Sequence, residues 1–455
     1  MDDSAGHHPS GHRRADGARG RRGGGGHRKG KTGVAGVLRD IGYVSFGKYG
    51  QYVITVVTLP LIARQLGTHG VGLLAIGMSA YFIGSLAVDL GITSFLAAKV
   101  HDARAETDID RLRGTYLAIR ATTLSTIGLA LLGGLAIGVP PPLHMILLGL
   151  FAGGVWSISE DWLLIGQGRF GASTLYQGAG RIGYLVLLVV LLPRYPTAST
   201  ALLCLLLSSL LTVALTWWDA WRTFGIPGRP QHVRRVLRIG APMLTSRALV
   251  TSYGQGSAAV YAAVLNAASL GLYSAGDRLV RAIQSLLDPI GFALLPRMAR
   301  RSTDESFWRS SVRSLAACVA VAVVAVLAVW VTAPLVVHIM FGSAFDGAVP
   351  LLRVEALILP ATTVTSFVTT AVLPVRQDTA GVLIGAVAGT CVAAVALGIA
   401  MQTHSVWTLV YGTVCAEIAV ALWYLVRMRW LVLRERGARS TRPPIATAAY
   451  EGGLS

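Results

Sequence analysis

Charge is the first thing this chain has little of: only 14% of its 455 residues are Asp, Glu, Lys or Arg, against a hydrophobic share of 53%. That excludes a soluble domain of this length and leaves a polytopic membrane protein. Cysteine is scarce too. Cys204, Cys318, Cys391 and Cys415 each fall inside an apolar run, at no metal-ligand spacing, so neither a zinc site nor a disulfide framework is expected. There is no HExxH, no P-loop and no GxSxG, and the gaps between apolar runs are too short for a soluble catalytic domain. The chain is therefore read as no enzyme, with no cofactor and no direct use of ATP. Acidic residues are outnumbered by basic ones, giving a net charge of +18. Nucleic acid is not the inferred partner, because nine Lys and Arg residues lie in the first 39 positions and most others sit between apolar runs. That is how cytoplasmic loops of a membrane protein are charged.

What is present is apolar sequence in twelve runs. They lie at about 42–63, 71–97, 115–138, 142–165, 171–192 and 199–221, then 238–263, 268–296, 312–339, 348–372, 379–401 and 405–426. Each reaches the roughly 20 residues a helix needs to cross the hydrocarbon layer. With the N-terminus inside, the basic residues gather on one side: Arg104, Arg111 and Arg113, then Arg169, then Arg234 and Arg235, then Arg300 and Arg301. The expected fold is an all-α membrane protein of about twelve transmembrane helices, both termini cytoplasmic. The expected organisation is a disordered basic tail (1–37), a six-helix lobe (38–222), a basic linker (223–238), a second six-helix lobe (239–430) and a tail (431–455). Six crossings per lobe return the chain to its starting side, so the lobes are parallel repeats around a central cavity.

An internal echo supports the repeat. An offset of 199 residues carries Gly72, Leu73 and Gly77 onto Gly271, Leu272 and Gly276, Lys48 onto Arg247, and Asp89 onto Asp288. The stretch from Leu270 to Pro296 is long enough to span, yet it carries Asp277, Arg278, Arg281 and Asp288. Charges at membrane depth cost several kcal/mol each unless they face protein, water or a partner, so they mark function by default. Lys48 and Arg247, at matched places in two halves, are expected to converge on one cavity; Arg278, Arg281 and Arg181 extend its cationic lining. Phosphate oxygens are the natural ligand of such a set. The competing reading makes the same cations static partners of Asp89, Asp277, Asp288 and Glu417, which are also the candidates for ion coupling. Arg120, Glu160 and Asp161 near inner helix ends, and Arg353 and Glu355 near an outer end, are expected to snorkel to the interface.

Several of these residues fall in motifs. Ile41-Gly42, the run Leu59-Pro60-Leu61-Ile62-Ala63-Arg64-Gln65-Leu66-Gly67, Gly70-Val71-Gly72 and Asp89-Leu90-Gly91 resemble the opening of bacterial polysaccharide flippases. These belong to the multidrug/oligosaccharidyl-lipid/polysaccharide exporter superfamily. Asp161-Trp162-Leu163-Leu164-Ile165-Gly166, Gly271-Leu272-Tyr273-Ser274-Ala275 and Met340-Phe341-Gly342 continue the resemblance, which runs from about 38 to 430. It implies a protein of the bacterial cytoplasmic membrane that turns a polyprenyl-diphosphate-linked oligosaccharide from the inner to the outer leaflet. Lys48, Arg247, Arg278, Arg281 and Arg181 would then be its substrate-binding residues. Membrane lipids, and the polymerase or glycosyltransferases of the same glycan, are the implied partners. Peptidoglycan-precursor flippases and cation-coupled drug antiporters of the same superfamily are the alternatives. The first resemble chains of about fourteen helices, and the second would want an acidic cavity.

Overall fold

The computed structural model describes residues 34–90, 106–231, 233–300, 307–373 and 379–440, and these are helical almost throughout, with no strand among them. The tail at 1–33 and the C-terminal residues from 441 lie outside the described residues. The helices are α1 (Val34–Asp89), α2 (Glu106–Ile137), α3 (Pro141–Ser157), α4 (Asp161–Gly166), α5 (Phe170–Leu191), α6 (Ala198–Phe224) and α7 (Val233–Tyr253). They continue with α8 (Ser257–Tyr261), α9 (Ala267–Arg300), α10 (Phe307–Phe341), α11 (Ala348–Glu355), α12 (Ile358–Phe367), α13 (Thr379–Thr403) and α14 (Val406–Ser440). A π-helical turn, Val368–Val372, extends α12.

Within the described residues, each of the twelve apolar runs coincides with a helical segment. The first two form the arms of α1, folded back at Gly67, whose φ of 62° and ψ of −176° only glycine adopts cheaply. The fourth is α3 with α4, the seventh α7 with α8, and the tenth α11 with α12. Nine segments among the described residues are long and apolar enough to cross a membrane. The other segments are the first arm of α1, α7 with α8, and α9. Side chains of that first arm lie mostly outside the described ones.

Helix starts follow local chemistry. Pro140, Pro141 and Pro142 open α3, where a missing N–H costs nothing, and the Thr197 hydroxyl accepts from the Thr200 amide at 3.1 Å to cap α6. Small residues then let the helices touch. A methyl group on Gly149 would stand 2.1 Å from the Gly77 carbonyl oxygen, and one on Gly153 would stand 1.9 Å from that of Tyr81, so α3 lies backbone to backbone on α1. In the second half of the chain α9 packs on α11 and α12, and α14 on α12 and α13. The four cysteines are free, Cys204 and Cys318 buried and Cys391 and Cys415 exposed.

The main seam between the halves runs from α1 to α9. A Cβ on Gly72 would meet the Ala267 carbonyl oxygen at 1.6 Å, and one on Gly271 would meet that of Thr68 at 1.9 Å. These contacts are reciprocal under the 199-residue offset, which carries Thr68 to Ala267 and Gly72 to Gly271. Two equivalent glycines meeting this way is what a two-fold relation between the halves demands. Beside the seam, Arg64 donates to the Ile339 carbonyl of α10 at 3.0 Å.

Candidate functional site

Three cavities adjoin one another beside this seam. The central one, about 270 Å³, is lined by Thr58 and Ser79 of α1, Tyr184 of α5, and Asp277, Arg278 and Arg281 of α9. A larger one, about 680 Å³, lies among α1, α3, α5 and α6 and presents Tyr81, Trp156, Gln177 and Arg181 together with the hydroxyls of Ser173, Thr174, Ser208, Ser209 and Thr212. The two share Thr58, Met78, Phe82 and Tyr184 in their walls. The third is an apolar groove of about 480 Å³ between α1 and the α9–α10 pair, floored by Leu279, Ala282, Ile283 and Val329. Ala282 also lines the central cavity, and Val56, Val57 and Leu286 at the groove are exposed.

The charged residues fall into distinct settings. Asp277 and Arg281 form an i,i+4 pair on α9, with Arg281 Nε 2.7 Å and 2.8 Å from the two carboxylate oxygens. Arg278, one residue along, faces the same cavity near Tyr184, with no carboxylate at ion-pair distance among the described residues. Arg181 lines the larger cavity near Tyr81. Glu417 of α14 approaches Arg281 and Asp277 from the far side. Arg247 is exposed on α7 and lines none of the three cavities. The side chains of Lys48 and Asp288 lie outside the described ones.

Asp89 belongs to a buried network at the other end of the first half. Arg120 reaches it at 3.1 Å, donates to the Ser159 carbonyl at 3.1 Å, and stacks on Tyr116 with its guanidinium carbon 3.6 Å from the ring centroid. The Tyr116 hydroxyl also donates to Asp89. Arg113, fully buried, lies 3.8 Å from Glu160 and donates to the Gly225 carbonyl. Arg120 and Glu160 are each 2% exposed, so the snorkelling expected of them is wrong; helix packing carries them inward, where they neutralise one another. Asp161 likewise holds Gln177 at 3.1 Å. Near the surface, the two hydrogen bonds that the Arg169 guanidinium donates to the Asp219 carboxylate hold it above its ordinary range, outweighing partial burial. Asp89→Asn should cost about 3 kcal/mol, because it takes the charge from the acceptor of both Arg120 and Tyr116 and leaves the buried guanidinium without its ion-pair partner. We expect a lower melting temperature in detergent and unimpaired transport; an inactive but equally stable variant would give Asp89 a direct role.

Glu355 is the functional candidate that sequence reasoning missed. Expected to snorkel, it is instead fully buried, its Oε2 3.0 Å from where a methyl on Gly276 would stand, and neither carboxyl oxygen receives a hydrogen bond among the described residues. The bare Gly276 between Ser274 and Asp277 was the available signal, since it leaves room on α9 for a neighbour's carboxyl. Arg353 stays exposed and exchanges hydrogen bonds with Trp330. No group of three or more His, Cys, Asp or Glu residues among those described could hold a metal ion.

A family model described as polysaccharide biosynthesis protein matches residues 37–302. Among curated proteins, nothing matches the sequence. Among solved structures the chain is similar to the lipid II flippase MurJ in an inward closed conformation, with a TM-score of 0.68 at 12% identity over 85% of this chain and 87% of that one. It is also similar to a multidrug resistance MATE family transporter of the MOP superfamily. The inward-facing form gives a TM-score of 0.64 at 16% identity over 86% of this chain and 96% of the other. The outward-facing form gives 0.55 at 16% identity, over 87% and 96%. At these identities the likeness is one of fold, and it matches the all-α, polytopic architecture.

Proposed function

The chain belongs to the polysaccharide biosynthesis protein family, and from that premise we propose that it is a flippase for a polyprenyl-diphosphate-linked oligosaccharide. The observation that carries this reading is the adjacency of three unlike compartments. A lipid-linked glycan has three chemically unlike parts in the same order: a hydrocarbon tail, a diphosphate and a sugar head. The apolar groove opening at the exposed Val56, Val57 and Leu286 suits the tail. The central cavity offers Arg278 and Arg281 to the diphosphate, since guanidinium groups bind phosphate oxygens by charge-assisted hydrogen bonds. The larger cavity, with its row of hydroxyls, Gln177 and the Trp156 ring, offers sugars hydrogen bonds and a flat apolar face. A drug cation would need none of this sequence of environments.

Positive-inside loops put both termini in the cytoplasm of a bacterial cell. The fold-back at Gly67 and the Gly72–Gly271 seam then lie toward the outer face, with the cavities loaded from within. Two six-helix halves related by an axis along the membrane normal would rock to open and close that seam. The polymerase or glycosyltransferases of the same glycan are the expected partners. Removing the protein from its host should leave lipid-linked saccharide stalled on the cytoplasmic leaflet and deplete surface polysaccharide. Normal surface polysaccharide with no stalled intermediate would refute the reading.

A further inference from the structure

The last helix of each half carries the same pairing near its end. On α6 the Arg222 guanidinium carbon lies 3.9 Å from the centroid of the Trp218 ring, four residues back. On α14 that of Arg434 lies 5.2 Å from the Trp430 ring, also four back, and Arg427 reaches the same ring at 4.3 Å. The rings are 50% and 43% exposed, and Arg222 and Arg434 are exposed beside them. At 1.5 Å per residue, Trp218 stands about 30 Å along α6 and Trp430 about 36 Å along α14, where hydrocarbon gives way to headgroups. The neighbouring acids are engaged: Arg169 holds both Asp219 oxygens at 2.7 Å and 2.9 Å, and Glu435 accepts from the Trp308 indole at 2.9 Å. Among the described residues no carboxylate lies at ion-pair distance from Arg222. A guanidinium laid on an indole still keeps its N–H edge free for phosphate oxygens.

We infer that these two helix ends are matched sites for an anionic phospholipid headgroup of the phosphatidylglycerol class. The guanidiniums take its phosphate, and the indoles lie at the glycerol level beside its acyl chains. A zwitterionic headgroup brings its own cation next to the phosphate and gains less from Arg222. At α14 two guanidiniums about one ring double the bias. Both sites are braced against the helices behind them. Trp217 donates to the Ile158 carbonyl at 3.0 Å and meets Trp221 edge-on at 6.0 Å, while Trp308 ties α14 to α10 through Glu435. A headgroup therefore meets a preset surface rather than loose side chains. Only the seating of these ends at a membrane surface is needed for this; the identity of the transported lipid can fail without it, and it without that.

The test lets the two rings report their own lipids. Full-length protein is reconstituted in phosphatidylcholine vesicles containing brominated phosphatidylglycerol or brominated phosphatidylcholine, and indole quenching is followed as the brominated share rises. The part due to the two rings is the difference between the parent and a protein with Trp218→Phe and Trp430→Phe. Phosphatidylglycerol should associate there about fivefold more strongly for each guanidinium. That preference should shrink toward unity as NaCl rises from about 0.05 M to about 0.5 M. Arg222→Gln, Arg427→Gln and Arg434→Gln together should remove it. Arg194→Gln, which changes an exposed cation just past the end of α5, should leave it whole. Equal quenching by the two lipids in the parent overturns the inference. So does a preference that salt does not reduce, or one that survives the triple substitution. If the triple variant does not fold, the parent's lipid and salt arms decide alone.

Discussion

Gly72→Ala should empty the closed state of the seam about a hundredfold and abolish most transport. The added methyl would stand 1.6 Å from the Ala267 carbonyl oxygen and 2.5 Å from its carbon. No side chain there can turn away, since the obstacle is backbone, so the two helices must part. Overpacking of this kind costs roughly 1–3 kcal/mol or more. When the strain exists in one state and is relieved in the other, the whole cost shifts the equilibrium, and about 3 kcal/mol is about a hundredfold. Gly271→Ala should act the same way, because its methyl would meet the Thr68 carbonyl at 1.9 Å. Gly398→Ala is the control, for nothing lies within 4 Å of its Cβ. Distances between spin labels at His69 and Asn266, which flank the seam and are exposed, should lengthen in the first two variants and not in the third. Unchanged distances in Gly72→Ala would show that the seam is no gate.

Arg278→Gln should reduce transport by roughly tenfold to a hundredfold, the worth of a charge-assisted hydrogen bond to a phosphate. Arg278 suits the test better than Arg281. Removing Arg281 would strip Asp277 of its ion pair, confusing loss of substrate with loss of stability, whereas Arg278 has no such partner among the described residues. The variant should therefore fold and melt like the parent, while uptake of a prenyl diphosphate probe into the cavity weakens. A melting temperature that falls with activity would point to a structural role, and unchanged activity would remove Arg278 from the site.

The parts of this molecule legible in its sequence are those imposed by lipid. A backbone crossing hydrocarbon must satisfy its own hydrogen bonds, so each run of about twenty apolar residues reads as a helix. The offset that pairs Gly72 with Gly271 was readable for a related reason: close backbone approach tolerates no side chain, so both copies kept glycine. Burial of particular charges was not readable. In the sequence Arg120, Glu160 and Glu355 all fall near the ends of apolar runs, where reaching water would cost a long side chain little. Only the packing of α2 on α3, and of α11 on α9, decides that they turn inward instead. The hydroxyl-lined cavity was hidden because Ser and Thr inside membrane helices commonly bond their own backbone, as Thr212 does to the Ser208 carbonyl at 3.3 Å. Their spacing alone does not tell a wall from a packed face.

The chain that carries the fold from α6 to α7 is spliced to α2 rather than slung between bundles. The Gly228 amide donates to the Asp110 carbonyl at 3.0 Å, Thr115 and Gln231 exchange hydrogen bonds at 2.8 Å, and Arg113 reaches the Gly225 carbonyl at 3.2 Å. Mechanically, this strap is freight of the first bundle, and a turning axis has to sit beyond Gln231. A dye fixed at Ile226, which is 86% exposed, will accordingly ride with α2 and report one bundle's tumbling rather than an average of two.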